Sequence, residues 1–130
     1  MQEEISNGTT ARPRVDAVNP QIMRKVVGDD PEMIRVLIAE FLPGARSGIA
    51  EIGEAVGSGL ADRVRASSHK LKGACAMVGA RHLIEICVQL EAAARAEEWR
   101  RIEELFAELD PHMSEVEVAT DLLLREMPAG

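Results

Sequence analysis

The stretch Ser67-Ser68-His69-Lys70-Leu71-Lys72-Gly73-Ala74-Cys75-Ala76-Met77-Val78-Gly79-Ala80 decides how this chain is read. Treated as a helix at about 100° per residue, and extended backwards by two turns, it gathers its apolar residues on one side. Leu60, Val64, Leu71, Ala74, Cys75 and Val78 form that core stripe. His69 falls nearly opposite and points to water. Around it, one turn up and down, lie Arg65, Ala66, Lys72, Gly73 and Ala76, which are either basic or very small. Basic neighbours would hold an anion. Small neighbours leave room for a large partner to approach.

The same periodicity continues on both sides. Asn19-Pro20 is a cap followed by proline at the first helical position. The short helix it opens carries Ile22, Met23, Val26 and Val27 and ends at Gly28. Asp30-Pro31 repeats the signal. The helix that follows has Ile34, Leu37, Ile38, Phe41, Ala45, Ile49, Ile52 and Val56 on its apolar stripe, with Pro43 expected to kink it. Gly57 and Gly59 punctuate its end. The His69 helix runs from about Leu60 to Val78, where Gly79 stops it. A further helix, from about Ala80 to Ala96, places Leu83, Ile86, Cys87, Leu90 and Ala94 inward. The last, from about Glu98 to Met127, does so with Ile102, Leu105, Phe106, Leu109, Met113, Val116, Thr120, Leu123 and Met127, and Pro111 should bend it. No stretch alternates with period two for long enough to be a strand. Four long amphipathic helices on short loops predict an all-α, antiparallel up-down-up-down four-helix bundle with a short additional N-terminal helix. Residues 1–16 are polar and read as a disordered leader or linker, ahead of one domain over residues 17–128.

Composition removes several function classes. The formal net charge of -7 argues against nucleic acid as the main partner. No apolar run approaches the roughly 18 residues of a membrane span, and no signal peptide opens the chain. Cys75 and Cys87 fall on core faces without metal spacing, so they read as buried thiols in a reducing, cytoplasmic setting. No glycine loop precedes Lys-Ser/Thr, so nucleotide binding has no support. His82 and His112 have no convincing ligand partners at i+3 or i+4. Ser68 and His69 are adjacent on a helix and cannot face each other as nucleophile and base.

His69 is the residue left with chemistry. An imidazole with one free ring nitrogen is a nucleophile near neutral pH. A phosphoryl acceptor also needs cations nearby, which Lys72 and Lys70 supply, and a clear approach, which Gly73 gives at i+4. From these residues alone two readings stay open: a phosphoryl acceptor, or an exposed surface histidine among lysines.

His69-Lys70-Leu71-Lys72-Gly73, then Gly79-Ala80, resembles the signature of the histidine-containing phosphotransfer (HPt) family. Gly28-Asp29-Asp30-Pro31-Glu32, a helix ending Glu40-Phe41-Leu42, and Leu83 to Leu90 followed by Glu91 resemble its bacterial members. The resemblance covers about residues 18–127. It implies a four-helix bundle with the active histidine midway along its second long helix, and a phosphorelay intermediate without ATP site or autokinase activity. By the same resemblance, the phosphoryl goes on Nε2 of His69, Lys72 steadies it, Gly73 clears the approach, and Glu91 bonds the other ring nitrogen. Ser68 departs from the alanine often found there and is expected to make the surface slightly more polar.

A receiver domain would have to dock over His69. Ile22, Met77, Ile84 and Val88 are the expected apolar contacts, with Arg65, Lys70 and Lys72 around them. The leading expectation is a monomeric shuttle that takes phosphoryl from one receiver aspartate and gives it to another. A hybrid histidine kinase and response-regulator receivers would be its partners. No cofactor or metal is expected on this chain, with Mg²⁺ belonging to the receiver. Two alternatives remain. The phosphotransfer domain of a chemotaxis-type kinase would be followed by a linker and catalytic domain, whereas the sequence ends at Gly130. A helical adaptor without phosphoryl chemistry would be expected to lack the histidine or the lysine.

Overall fold

Two Asx-Pro pairs start the helical part of the chain as the sequence predicts. In the computed structural model, which describes residues 15–128, Asn19 accepts a hydrogen bond from the Gln21 amide at 3.0 Å, and Asp30 does the same for Glu32. The elements they open are α1 (Pro20–Val27) and α2 (Pro31–Gly57). Three more follow: α3 (Ala61–Val78), α4 (Arg81–Arg95) and α5 (Trp99–Glu126). A 3-10 turn, Val15–Ala17, precedes them, and no strand occurs among the described residues. Residues 1–14 of the expected leader lie outside the described residues.

Packing follows sequence order. α3 lies between α2 and α4, α5 packs on α4 and closes the ring onto α2, and α1 rests on α2 and α3. The connections are residues 58–60, 79–80 and 96–98, too short for anything but antiparallel neighbours. The core is aliphatic, built on Ile38, Ile52, Leu71, Leu83, Leu90, Ile102, Leu105, Leu109 and Met113, all essentially inaccessible. Cys75 and Cys87 join it as free thiols, and burial pushes each up to about 12, so they pack rather than react. No helix among the described residues is long and apolar enough to cross a membrane.

Leu60 departs from the expected stripe, being 44% exposed. It is the residue before α3, with extended backbone angles, so the 100° rule does not apply to it. Pro43 and Pro111 sit inside α2 and α5, and both helices run on through them. Each proline denies a hydrogen to the carbonyl four residues back, Ala39 and Ala107. All four residues are exposed, so water can serve those carbonyls.

Two close approaches fix how the helices seat. A Cβ on Gly53 would lie 2.9 Å from Cζ of Phe106, so the ring rests directly on the α2 backbone. Gly79 caps α3 in the left-handed region at φ 67, where L side chains are disfavoured. A Cβ there would also come within 2.6 Å of Asn19 Cβ. The Asn19 amide donates to the Val78 carbonyl at 2.9 Å, which pins the start of α1 to the end of α3. On the α2–α5 seam, Arg46 forks onto both oxygens of Glu117 at 2.9 Å each and also pairs with Asp110. The Arg46 hydrogen bond holds the Glu117 carboxyl below the usual range.

Candidate functional site

α3 turns its core stripe inward through Val64, Leu71, Cys75 and Val78, so the opposite face must meet solvent. His69 lies there with its side chain 71% exposed. Gly73 and Ala76, at i+4 and i+7, continue the same face. A Cβ on Gly73 would meet nothing within 4 Å, so the space above it is open.

α4 contributes the other half of the site. Glu91 is only 12% exposed and reaches across to α3 with both oxygens. Oε1 lies 3.2 Å from His69 Nδ1, and Oε2 lies 2.7 Å from Lys72 Nζ. Burial alone would raise this carboxyl, but the Lys72 and His69 contacts outweigh it and hold it below the usual carboxylate range. Glu91 is therefore ionised at neutral pH and can only accept. In the neutral form of the ring, Nδ1 of His69 is then the nitrogen that carries the proton and donates it to Oε1. The lone pair is left on Nε2, the nitrogen turned away from Glu91.

The structure thus brings His69, Lys72 and Glu91 into one connected group with Gly73 beside it. Of the other expected contacts, Met77 and Val88 are exposed at 42% and 50%, and Arg65 and Lys70 are exposed too. Lys70 Nζ lies 3.9 Å from Glu51 of α2 rather than beside Glu91. Ile22 and Ile84 are half-buried and line a hollow with Val18, Pro20, Ala76 and Gly79. Asp16 and Arg81 also border it, 3.5 Å apart. Ala76 belongs to both the hollow and the His69 face, so the two are continuous over small residues.

Ser68 corrects an expectation. It is fully buried, not part of the surface, because it falls with Val64, Leu71 and Cys75 on the inward side of α3. Its Oγ has no hydrogen-bond partner among the described residues. An unpaired buried hydroxyl costs about 1–3 kcal/mol. Ser68→Ala is therefore expected to raise the unfolding free energy by about 1 kcal/mol, read as a higher melting temperature, with phosphoryl loading intact. An unchanged or lower melting temperature would show that the hydroxyl is satisfied.

Sequence periodicity did not pair His82 with His112. Their rings stack with centroids 5.5 Å apart, joining the first turn of α4 to α5, and His112 Nδ1 lies 3.3 Å from Glu115. No group of three or more potential metal ligands occurs among the described residues.

The comparisons with known proteins agree with this architecture. The model of the family described as Hpt domain matches residues 36–119, which include His69, Lys72, Gly73 and Glu91. No curated protein matches the chain. Among solved structures it is similar to histidine-containing phosphotransfer protein B (HptB) from Pseudomonas aeruginosa PAO1, with a TM-score of 0.78 and 20% identity over 86% of this chain and 97% of that one. It is also similar to the HPT domain of the Hpt sensor hybrid histidine kinase from Shewanella, with a TM-score of 0.71 and 19% identity over 89% of this chain and all of that one. At such identities the two structures speak for the fold, and the family match speaks for membership. The chain belongs to the Hpt domain family, the histidine phosphotransfer carriers of two-component phosphorelays.

Proposed function

We propose that Nε2 of His69 accepts a phosphoryl group from a receiver-domain aspartyl phosphate and passes it to the aspartate of another receiver. The observation that carries this is the Glu91–Nδ1 contact at 3.2 Å, which leaves the lone pair on the outward nitrogen. In the forward step Nε2 attacks phosphorus in line, the P–N bond forms, and the P–O bond to the donor aspartate breaks. The aspartate leaves as a carboxylate. The ring keeps its Nδ1 proton and becomes cationic, facing Glu91. No proton changes hands, so the reverse step to a second aspartate runs over the same path.

Lys72 supplies positive charge near the transferred group, and the open space above Gly73 admits the donor. The docking surface is the α1–α3–α4 face with Ile22, Met77, Ile84 and Val88, bordered by Arg65 and Lys70. The Mg²⁺ that such an exchange needs is assigned to the receiver. The carrier would work as a monomer between a hybrid kinase and a response regulator in the cytoplasm, the compartment that the two unbridged cysteines fit.

The test uses two donors. A receiver domain loaded with acetyl phosphate and Mg²⁺ should transfer its label to the chain, and phosphoramidate should load it without any partner. Gly73→Gln separates approach from folding. A Cβ at this exposed position would meet nothing within 4 Å, and glutamine is the better helix former by about 0.5–1 kcal/mol. Its melting temperature should hold or rise, loading by phosphoramidate should survive, and transfer from the receiver should fall at least about tenfold, the equivalent of 1.4 kcal/mol at the barrier. Undiminished transfer from the receiver would remove the steric role of Gly73.

A further inference from the structure

Lys72 faces the Glu91 carboxylate at 2.7 Å, and loading of His69 would change the charges around that pair. In the empty site the Glu91 carboxylate, 12% exposed, is neutralised by Lys72 at 2.7 Å, while the His69 ring meets it through Nδ1 at 3.2 Å. Loading puts a doubly charged phosphoryl on Nε2 and a positive charge on the ring. That new cation sits against Glu91 through Nδ1, 3.2 Å from Oε1. Glu91 then has a counter-charge of its own, while Lys70 is turned toward Glu51 of α2, 3.9 Å away, which leaves Lys72 as the cation beside Glu91 to meet the phosphoryl. Lys72 sits at i+3 from His69 on the same helix, and its side chain is 30% exposed, so it borders the same solvent-facing surface as His69.

Resting on the acceptor reading above, we propose that Lys72 exchanges partners on loading: it pairs with Glu91 when His69 is empty and with the phosphoryl when His69 is charged. The imidazolium takes its place on Glu91. Glu91 is thereby a positioning residue with a second effect. It competes with the phosphoryl for Lys72, and so limits how tightly the carrier holds its cargo. A carrier that must also give its phosphoryl away gains from that competition, since the Lys72–Glu91 pair re-forms as the group leaves.

The experiment is a double-mutant cycle on the full chain. The native protein, Lys72→Ala, Glu91→Gln and the double variant are brought to equilibrium with phosphoramidate at a fixed ratio to ammonium. The loaded-to-empty ratio is read by intact-protein mass spectrometry and ³¹P NMR. In the native background, Lys72 must leave Glu91 to reach the phosphoryl. In the Glu91→Gln background it is already released. Lys72→Ala is therefore expected to lower the loaded-to-empty ratio by a factor about threefold larger in the Glu91→Gln background than in the native one, the size of a modest ion pair. An equal factor means that Lys72 keeps both partners or neither, and a smaller one means that it acts only through Glu91; either overturns the exchange. If Glu91→Gln melts early, the ¹⁵N shift of Lys72 Nζ in the native chain decides instead, moving on loading if partners change and staying put if they do not. Failure of the native chain to load at all would overturn the acceptor reading and the exchange with it. Loading with equal factors would overturn the exchange alone.

Discussion

His69→Gln is expected to abolish phosphoryl loading from both the receiver and phosphoramidate, and to leave the melting temperature close to that of the native protein. The first half follows from chemistry. A side-chain amide nitrogen has its lone pair delocalised into the carbonyl and does not attack phosphorus. The other two histidines cannot substitute: His82 and His112 are half-buried, stacked on each other at 5.5 Å, and Nε2 of His82 is inaccessible. The second half follows from position. The His69 side chain is 71% exposed, and its polar contact is with Glu91, to which a glutamine amide can still donate. Exposed substitutions of this kind usually change stability by no more than about 0.5 kcal/mol. Loaded fraction by mass spectrometry and melting by circular dichroism test both halves. Label that persists in His69→Gln and vanishes only when His82 or His112 is replaced would overturn the assignment.

Most of the fold is legible along the chain because helices announce themselves locally. Asn19-Pro20 and Asp30-Pro31 are cap signals that need only two residues on, and each cap bond forms. The inward stripes of the long helices follow from a 3.6-residue period, and Leu71, Cys75, Leu83, Leu90, Leu109 and Met113 are buried accordingly. What periodicity cannot supply is the rotation of one helix against the next. Arg46 and Glu117 are 71 residues apart, and His82 and His112 stand on different helices, so nothing local joins them. Leu60 leaves the stripe because it lies just outside α3, and Ser68, although next to His69 in sequence, shares the inward side with Leu71. At the site, the outward face of His69 and the clearance at Gly73 come from spacing on one helix. The approach of Glu91 from α4 came only from family resemblance, since spacing within one helix cannot relate residues 22 positions apart.

That division between inward and outward faces has its largest consequence in a pair of glutamate substitutions. Leu71 is 2% exposed and lies two residues from His69 on α3, whereas Val88 is 50% exposed on α4. Leu71→Glu removes a core side chain, worth about 2–5 kcal/mol when cut to alanine, and puts a carboxyl into a mainly aliphatic core that offers it no cation. Whether that group stays charged or takes up a proton, the combined cost is several kcal/mol, against a total stability of about 5–15 kcal/mol for a domain of this kind. Leu71→Glu is therefore expected to unfold most of the protein at room temperature and lose its helical signal. Val88→Glu removes no core contact and should melt within about 0.5 kcal/mol of the native protein. It places a charge within the proposed apolar docking face, so receiver binding and transfer should weaken by tenfold or more, about 1.4 kcal/mol at the interface, while loading by phosphoramidate stays native. Circular dichroism melts and receiver titrations on both variants make the test. If Val88→Glu melts early while its folded fraction binds the receiver normally, Val88 belongs to the core and the docking face lies elsewhere around His69.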